Sequence, residues 1–440
     1  MEKPGPHYLK DLDYSVVQQC MHCGMCLPSC PTYQTTGREK NSPRGRIALM
    51  RAVADEELPV DRAFGEELQY CLGCLACQSA CPANVDYAHL FEMSRAEVES
   101  SGVLDQQERR FYRAITLNGL FRYPRLLRLA GRLLRIYQTT GIEDWLNRSG
   151  WLHPISPKWS RLLTMSPKMG PAFSHQLIQS LEKPHSGTIR YRVGVLTGCI
   201  QDLTDAATNR ATVDVLLANQ CEVTTPSVQS CCGSLHAHNG DVDLAREMAR
   251  RTIDAFDLET LDAVISNAGG CGSHLKHFGR LLSSDPDYAE KARRWDEKLK
   301  DIHEWLVAID FRAPAFSSPL KVAYHQSCHL CHGQKIVREP IVILESLPGL
   351  TLVPLSRSDQ CCGSAGIYSI TQPGESDRLL KEKIEAIAQS KADCLVTSNP
   401  GCDVQIRRGL DIAGISITVS SPVKLLAEAY KSEDTHNSPT

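Results

Sequence analysis

The sequence predicts a mixed α/β protein in which a helical N-terminal domain is followed by a tandem pair of related α/β units. Two observations predict this fold class. One cysteine-rich run occurs twice within residues 1–100, and a helical stretch lies between its copies. A pattern of strand, helix and glycine-rich cysteine turn then occurs twice within residues 191–432. The 440 residues are enough for two or three domains, each with its own core.

We divide the chain into four segments. The N-terminal domain covers residues 1–100, an arginine-rich connector covers 101–190, and the two related units cover 191–310 and 311–432. In the connector, arginines alternate with leucines, which predicts one or two basic amphipathic helices before a linker at 153–168. Such helices either pack their leucines on a neighbour while their arginines stay solvated, or form a docking face for acidic lipid or a partner subunit.

The N-terminal domain carries the spacing C-x2-C-x2-C-x3-C-P twice, at Cys20–Pro31 and at Cys71–Pro82. Bacterial ferredoxins bind [4Fe–4S] clusters through this spacing, and the fourth cysteine of each run ligates the cluster that the other run surrounds. The predicted ligands are Cys20, Cys23, Cys26 and Cys81 for the first cluster, and Cys71, Cys74, Cys77 and Cys30 for the second. A zinc site is the alternative, but it favours paired C-x2-C units over a repeated triplet.

Each α/β unit contains four cysteines at matched positions. One ends an apolar strand, two adjacent cysteines precede a glycine, and the last follows a glycine in a tight turn. The matched residues are Cys199, Cys231, Cys232 and Cys271 in the first unit, and Cys328, Cys361, Cys362 and Cys402 in the second. Four soft thiolates suit iron–sulfur or zinc, so we predict a metal-related role and leave the metal open. We expect Cys221, Cys331 and Cys394 to be structural; Cys331 stands out because it forms C-x2-C with Cys328.

Charge and composition exclude several classes of protein. A net charge of −3 does not favour a nucleic-acid partner, and the sequence contains neither a P-loop nor G-x-G-x-x-G after a strand. The 19 cysteines are an odd number and favour metal thiolates in a reducing compartment over disulfides. The sequence shows neither a secretory signal nor a long apolar run, so we expect the protein in the cytoplasm. It could also bind peripherally to the inner face of the cell membrane.

Several stretches of the chain resemble the glycolate oxidase iron–sulfur subunit family. They are Cys20–Cys26 with Cys30–Tyr33, Ser42–Ile47, Asn267–Gly272, Cys328–Gln334 and Cys361–Tyr368. The paired units are similar to the CCG domains of heterodisulfide reductase and its relatives. The resemblance implies an electron-transfer subunit that takes electrons from a separate FAD-containing dehydrogenase subunit and passes them to a respiratory acceptor such as quinone. Glycolate is then the favoured substrate, and no catalytic residue is expected in this chain.

Three other functions stay open. The same layout serves the iron–sulfur subunit of a D-lactate or an anaerobic glycerol-3-phosphate dehydrogenase. In a second alternative, the CCG units are the catalytic site of a disulfide reductase. In a third, they are only a scaffold that binds partner subunits. The noncubane clusters of heterodisulfide reductase need C-x2-C at the end of each unit, whereas this chain has Ala268 and Asn399 at the first of those positions. The absence of this cysteine counts against a function as a disulfide reductase.

Overall fold

The computed structural model describes residues 7–10, 12, 14–143, 145, 166–185, 187–315 and 317–437. Most of the linker predicted at 153–168 lies outside the described residues.

The N-terminal domain is built from short helices joined by the cysteine loops. The helices are α1 Tyr14–Gln18, α2 Pro31–Thr36, α3 Pro43–Ala54, α4 Arg62–Tyr70, α5 Ala76–Ser79 and α6 Tyr87–Ser101, with a 3-10 turn at Glu39–Asn41. Ser42 and Asp61 cap α3 and α4 by accepting hydrogen bonds from backbone N–H groups of the first turn. Met50, Leu68 and Leu90 form the core between α3, α4 and α6. The cysteine loops lie along the edge of this core.

The connector forms helices that lie against the first α/β unit. They are α7 Gln107–Arg113, a π-helical turn Ala114–Leu120, α8 Pro124–Thr139 and α9 Ser174–Leu177. On α8, the side chains of Leu126, Leu129, Leu133 and Ile136 are between 44% and 59% exposed, whereas Leu127 is buried.

Two arginines of the connector point inward instead. The guanidinium group of Arg128 lies 2.9 Å from the carboxylate of Asp202, and that of Arg122 lies 2.9 Å from Glu247. The expectation that the leucines pack on a neighbour is therefore wrong for most of α8, whereas Arg125 and Arg132 of this helix are exposed as expected. Asp202 on the neighbouring unit draws Arg128 inward, and the apolar face of the helix is left exposed.

The first α/β unit contains a mainly parallel sheet of five strands in the order β1-β3-β2-β4-β5, with β1 antiparallel at the edge. The strands are β1 Leu181–Glu182, β2 Tyr191–Val195, β3 Cys221–Thr224, β4 Ala263–Ser266 and β5 Leu299–Asp301. Its helices are α10 Ile200–Thr204, α11 Ala206–Ala218, α12 Ser234–Ala237, α13 Val242–Asp254, α14 Gly269–Leu275, α15 Phe278–Leu281, α16 Ala289–Lys298 and α17 Ile302–Ala308. Every residue of β4 is buried, as expected for a parallel strand covered on both faces.

The second unit repeats the central part of this arrangement. Its four strands are all parallel, in the order β7-β6-β8-β9: β6 Leu320–His325, β7 Leu350–Val353, β8 Cys394–Thr397 and β9 Thr418–Ser420. Its helices are α18 Glu339–Glu345, α19 Tyr368–Thr371, α20 Pro373–Ser390, α21 Pro400–Ala413 and α22 Pro422–Asn437, with a π-helical turn at His329–Gly333. One continuous apolar core, which includes Val193, Ile265, Val322 and Val396, joins the two sheets.

The matched cysteines lie where strands end. Cys199 and Cys328 follow the central strands β2 and β6, while Cys271 and Cys402 lie in the helices that follow β4 and β8. The carboxyl ends of parallel strands meet at one edge of a sheet, which is where such folds place functional groups.

The N-terminal domain contacts both units through polar groups. Nη1 of Arg95 donates a hydrogen bond of 2.6 Å to the carbonyl oxygen of His238 in the first unit. Nε2 of His329 in the second unit lies 2.8 Å from the carbonyl oxygen of Gly73, which lies inside a cysteine run. The two units therefore support the loops that carry the ferredoxin-type cysteines.

Within the described residues, we find no helix with the length and apolar composition needed to cross a bilayer.

Candidate iron–sulfur centres

The structure brings the cysteines predicted for the first cluster to one cavity. Cys20, Cys23, Cys26 and Cys81 line this cavity together with Cys77. Cys23 is exposed, as are the flanking side chains of Met21 (68%) and Met25 (62%). This cavity therefore opens at the surface of the protein.

The cysteines predicted for the second cluster surround a deeper cavity. Cys30, Cys71, Cys74 and Cys77 line this cavity. Cys30 reaches it because α2 begins at the next residue and turns the chain away from the first run. The backbone N–H of Gly73 donates a hydrogen bond of 3.4 Å to Sγ of Cys71, the kind of contact that stabilises a thiolate.

The electrostatics of the second cavity fit a cationic metal centre. Burial raises the pKa of Cys74 and Cys77 well above the usual value, and neighbouring cysteines raise both further. Four thiolates in this space would repel each other unless a metal lay between them. Arg46, which is 1% exposed, supplies one positive charge beside Cys30 and Cys71. It also forms an ion pair of 2.9 Å with the buried carboxylate of Glu67.

In the first α/β unit, the four matched cysteines form a chain of contacts. Sγ of Cys199 lies 3.7 Å from Sγ of Cys231, and Cys232 interacts with both Cys231 and Cys271. The hydrogen bonds from Cys199 and Cys232 hold the pKa of Cys231 well below the usual value. The connector covers this site, since Cys199 packs against an apolar cluster that includes Leu127, and Phe121 and Leu127 line one pocket with Cys199 and Cys231.

In the second unit, the matched cysteines form a similar chain. Cys361 interacts with Cys328 and Cys362, and Cys362 interacts with Cys402. The hydrogen bond with Cys361, followed by burial, raises the pKa of Cys328 well above the usual value. Nδ2 of Asn399 donates a hydrogen bond of 3.4 Å to Sγ of Cys402, so this residue contacts the site although it is not a cysteine.

Gly363 gives the Cys-Cys-Gly turn of the second unit its shape. Its φ of +85° lies in the left-handed region, and a Cβ at this position would lie 2.5 Å from the carbonyl oxygen of Ser376. Only glycine fits there. The turn directs both Cys361 and Cys362 inward, where they are buried.

The two units differ in what covers their cysteines. In the second unit, Cys361 belongs to one apolar cluster with Leu72 of the N-terminal domain, and Cys74 and Cys328 pack against this cluster. Cys74 lies close enough to Cys361 to raise the pKa of that thiol. Cys74 also lines the second cavity, so this cavity and the cysteine site of the second unit are direct neighbours. The duplicated units therefore have different surroundings: the connector covers one, and a cysteine run covers the other.

Sequence reasoning missed one side chain at the second site. His325 ends β6, and its ring nitrogen lies close to the sulfurs of Cys362 and Cys402. The sequence contained one signal for it, since the first unit has the apolar Leu196 at the matching position, directly after β2. A histidine in an otherwise apolar buried strand needs a polar partner.

The cysteines outside the matched sets behave as packing residues. Cys221 and Cys394 lie in β3 and β8 and are at most 1% exposed. Cys331 lies in the π-helical turn after Cys328, and burial raises its pKa to about 12. These surroundings favour the neutral thiol, as expected for a small buried side chain.

Three family models match successive parts of the chain. A 4Fe-4S dicluster domain matches residues 16–85, and the linker region of the glycolate oxidase iron-sulfur subunit matches residues 108–167. A cysteine-rich domain, the CCG domain, matches twice, at residues 193–276 and 322–407.

A probable glycolate oxidase iron-sulfur subunit from Bacillus subtilis is 36% identical to this chain over 94% of both sequences. The chain belongs to the glycolate oxidase iron–sulfur subunit family. A member from Escherichia coli is 32% identical over 89% of this chain and 90% of its own length. Lactate utilization protein A from Geobacillus thermodenitrificans is 32% identical over 53% of this chain and 98% of its own.

Membership of this family confirms the resemblance seen in the sequence. The predicted fold class is also confirmed, because the helical dicluster domain precedes two CCG domains with parallel sheets. The family is one of iron–sulfur proteins, and its dicluster domain is an electron-transfer module. The chain is accordingly an iron–sulfur protein that transfers electrons.

Proposed function

We propose that this chain is the electron-transfer subunit of a flavin-dependent glycolate dehydrogenase. It would receive electrons from a separate FAD-containing subunit and deliver them to a respiratory acceptor, which we take to be quinone. The names of the two full-length relatives support glycolate as the substrate of the complex. The observation that carries the proposal is the contact between successive cysteine sites, from the surface of the protein to the second CCG unit.

Two sets of residues would hold the clusters. We assign Cys20, Cys23, Cys26 and Cys81 to the first [4Fe–4S] cluster, and Cys71, Cys74, Cys77 and Cys30 to the second. The gathering of each set around one cavity supports this assignment. Each cluster, when bound, accepts and releases single electrons. Oxidation of a 2-hydroxy acid removes two electrons, so a flavin in the partner would take the pair and release it in single steps.

The positions of four residues suggest the direction of electron transfer. Exposed Met21 and Met25 flank the first cavity and offer a soft apolar surface on which a redox partner can dock. Cys77 lines both cavities and therefore joins the first site to the second. Cys74 and Cys328 then pack against the apolar cluster that contains Cys361. We propose that electrons move from the surface to the second CCG unit along this line.

We also propose that the CCG units bind metal, as iron–sulfur or zinc. The contacts among the four matched thiols of each unit support this proposal, because such contacts place soft ligands around a common centre. The second unit lies on the proposed electron path, whereas the first is covered by the connector.

The function is tested by anaerobic reduction of the chain in its complex with the FAD-containing partner. Glycolate is expected to bleach the visible absorbance of the clusters within seconds in the complex, and to leave the isolated chain unchanged, because this chain has no proposed site for the substrate. D-lactate and glycerol-3-phosphate serve as competing substrates. Faster bleaching by either of them would assign the complex to that substrate instead of glycolate.

We propose that the exposed face of α8 attaches the complex to the inner face of the cell membrane. Leu129 and Leu133 lie on this face, and the exposed Arg125 and Arg132 flank it, a pattern typical of helices that bind anionic lipid. The double variant Leu129→Glu/Leu133→Glu is expected to bind anionic vesicles at least about tenfold more weakly, because burial of two leucine side chains is lost.

Vesicle sedimentation measures this binding. The control is Ile412→Glu, a change at a 71% exposed apolar residue far from the connector in sequence, on α21. Equal binding by the wild type and the double variant would refute membrane attachment through α8.

A further inference from the structure

The cysteine site of the second unit includes a nitrogen donor. His325 is fully buried, and the ligand atoms of His325, Cys362 and Cys402 all lie within 4.8 Å of one another. Both cysteines are buried as well. Bulk water therefore does not solvate these three groups, and they face one another in a closed space.

A hydrogen bond determines which nitrogen of the ring carries the proton. Nδ1 of His325 lies 2.9 Å from the carbonyl oxygen of Ser358. Because a carbonyl oxygen only accepts hydrogen bonds, Nδ1 is the protonated nitrogen of the neutral ring, and Nε2 presents a lone pair. A hydrogen bond from one ring nitrogen to a backbone carbonyl is the usual arrangement of a histidine that binds metal through the other nitrogen.

The lone pair on Nε2 has no partner in the part of the chain that the structure describes. A buried polar atom without a partner is costly. The ammonium group of Lys383, the nearby cation, donates to the carbonyl oxygen of Arg357 and does not satisfy the ring. A metal ion between the nitrogen and the sulfurs removes this cost.

We infer that Nε2 of His325, together with Cys362 and Cys402, binds the metal of the second CCG unit. The inference rests on the proposal that this unit holds a metal. Two thiolates and one imidazole suit either an iron of an iron–sulfur cluster or a zinc ion. The first unit has Leu196 at the matching position, so this nitrogen ligand distinguishes the second unit from the first. In an iron–sulfur cluster, a neutral imidazole in place of a thiolate raises the reduction potential, which suits a site late in an electron path.

The test uses the full-length chain, purified anaerobically with 15N-labelled histidine. Iron, acid-labile sulfide and zinc are counted per chain for the wild type, His325→Gln and Cys362→Ser. Pulsed EPR of the reduced protein then detects nitrogen coupled to iron, and zinc-edge X-ray absorption detects nitrogen bound to zinc. The matched control is His332→Gln, which removes another buried histidine of the same unit whose Nδ1 contacts Ser79 at 3.0 Å.

We expect His325→Gln to lose the metal that Cys362→Ser also loses, or to keep it without the nitrogen signal. The control should match the wild type, and the EPR signals of the ferredoxin-type clusters should persist in every variant as evidence of folding. If His325→Gln keeps both the metal and the nitrogen signal, the ligand role of His325 is refuted while the metal role of the unit stands. If Cys362→Ser holds as much metal as the wild type, the metal role of the unit fails, and the inference fails with it.

Discussion

Replacing Cys30 by serine is expected to abolish the second cluster and leave the first intact, although Cys30 belongs to the first cysteine run. The reason is geometric: Cys30 lines the deeper cavity with Cys71, Cys74 and Cys77, and does not line the surface cavity. Loss of one thiolate ligand should lower the iron content by about four atoms per chain, since one cubane cluster is lost.

Iron analysis and EPR of the reduced protein measure this effect. Cys81→Ser is the reciprocal control, because Cys81 belongs to the second run but lines the first cavity. The spectrum of Cys30→Ser should match that of Cys74→Ser, and the spectrum of Cys81→Ser should match that of Cys23→Ser. The opposite matches would show that each run holds its own cluster and would overturn the exchange of fourth ligands.

The variant Arg46→Leu is expected to lose about 3–5 kcal/mol of stability, because it leaves a buried carboxylate without its partner. Arg46 and Glu67 are 1% and 6% exposed, and their ion pair measures 2.9 Å. The guanidinium group also donates a hydrogen bond to Thr32 and lies beside Cys30 and Cys71. Its removal therefore weakens the N-terminal domain and the second cluster site together.

Thermal unfolding followed by circular dichroism, at one fixed scan rate, measures this loss. We expect the midpoint temperature of unfolding to fall by at least about 10 °C in Arg46→Leu, for a domain of this size. Arg62→Leu serves as the control, since Arg62 forms an exposed ion pair with Glu66 and its loss should change little. The double variant Arg46→Leu/Glu67→Leu should recover part of the stability. Equal midpoints for Arg46→Leu and Arg62→Leu would contradict the structural role of the buried pair.

Local spacing in the sequence was sufficient to predict the cysteine sets and the duplicated units. Three cysteines within a short loop can surround only one point, and a fourth beyond a proline is turned away from it. The structure places Cys30 and Cys81 around the opposite cavities accordingly. The repeated strand and glycine-turn pattern likewise predicted two parallel-sheet units, because it depends on residues that are close in sequence.

Tertiary contacts alone decided three other features. The position of Cys74 against Cys328 and Cys361 joins residues more than two hundred positions apart in the chain, so no local pattern could show which unit faces the clusters. The exposed leucines of α8 accompany a long-range ion pair, in which Arg128 of this helix turns inward to Asp202 of the first α/β unit.

His325 is the third of these features. Its strand is buried on both faces, so alternation along the strand could not show which way its ring points. Only the folded chain brings its ring to Ser358 on one side and to Cys362 and Cys402 on the other. The sequence by itself determined which residues can bind metal, because that depends on side-chain chemistry and local spacing; the tertiary structure decided which of them meet, because that depends on long-range packing.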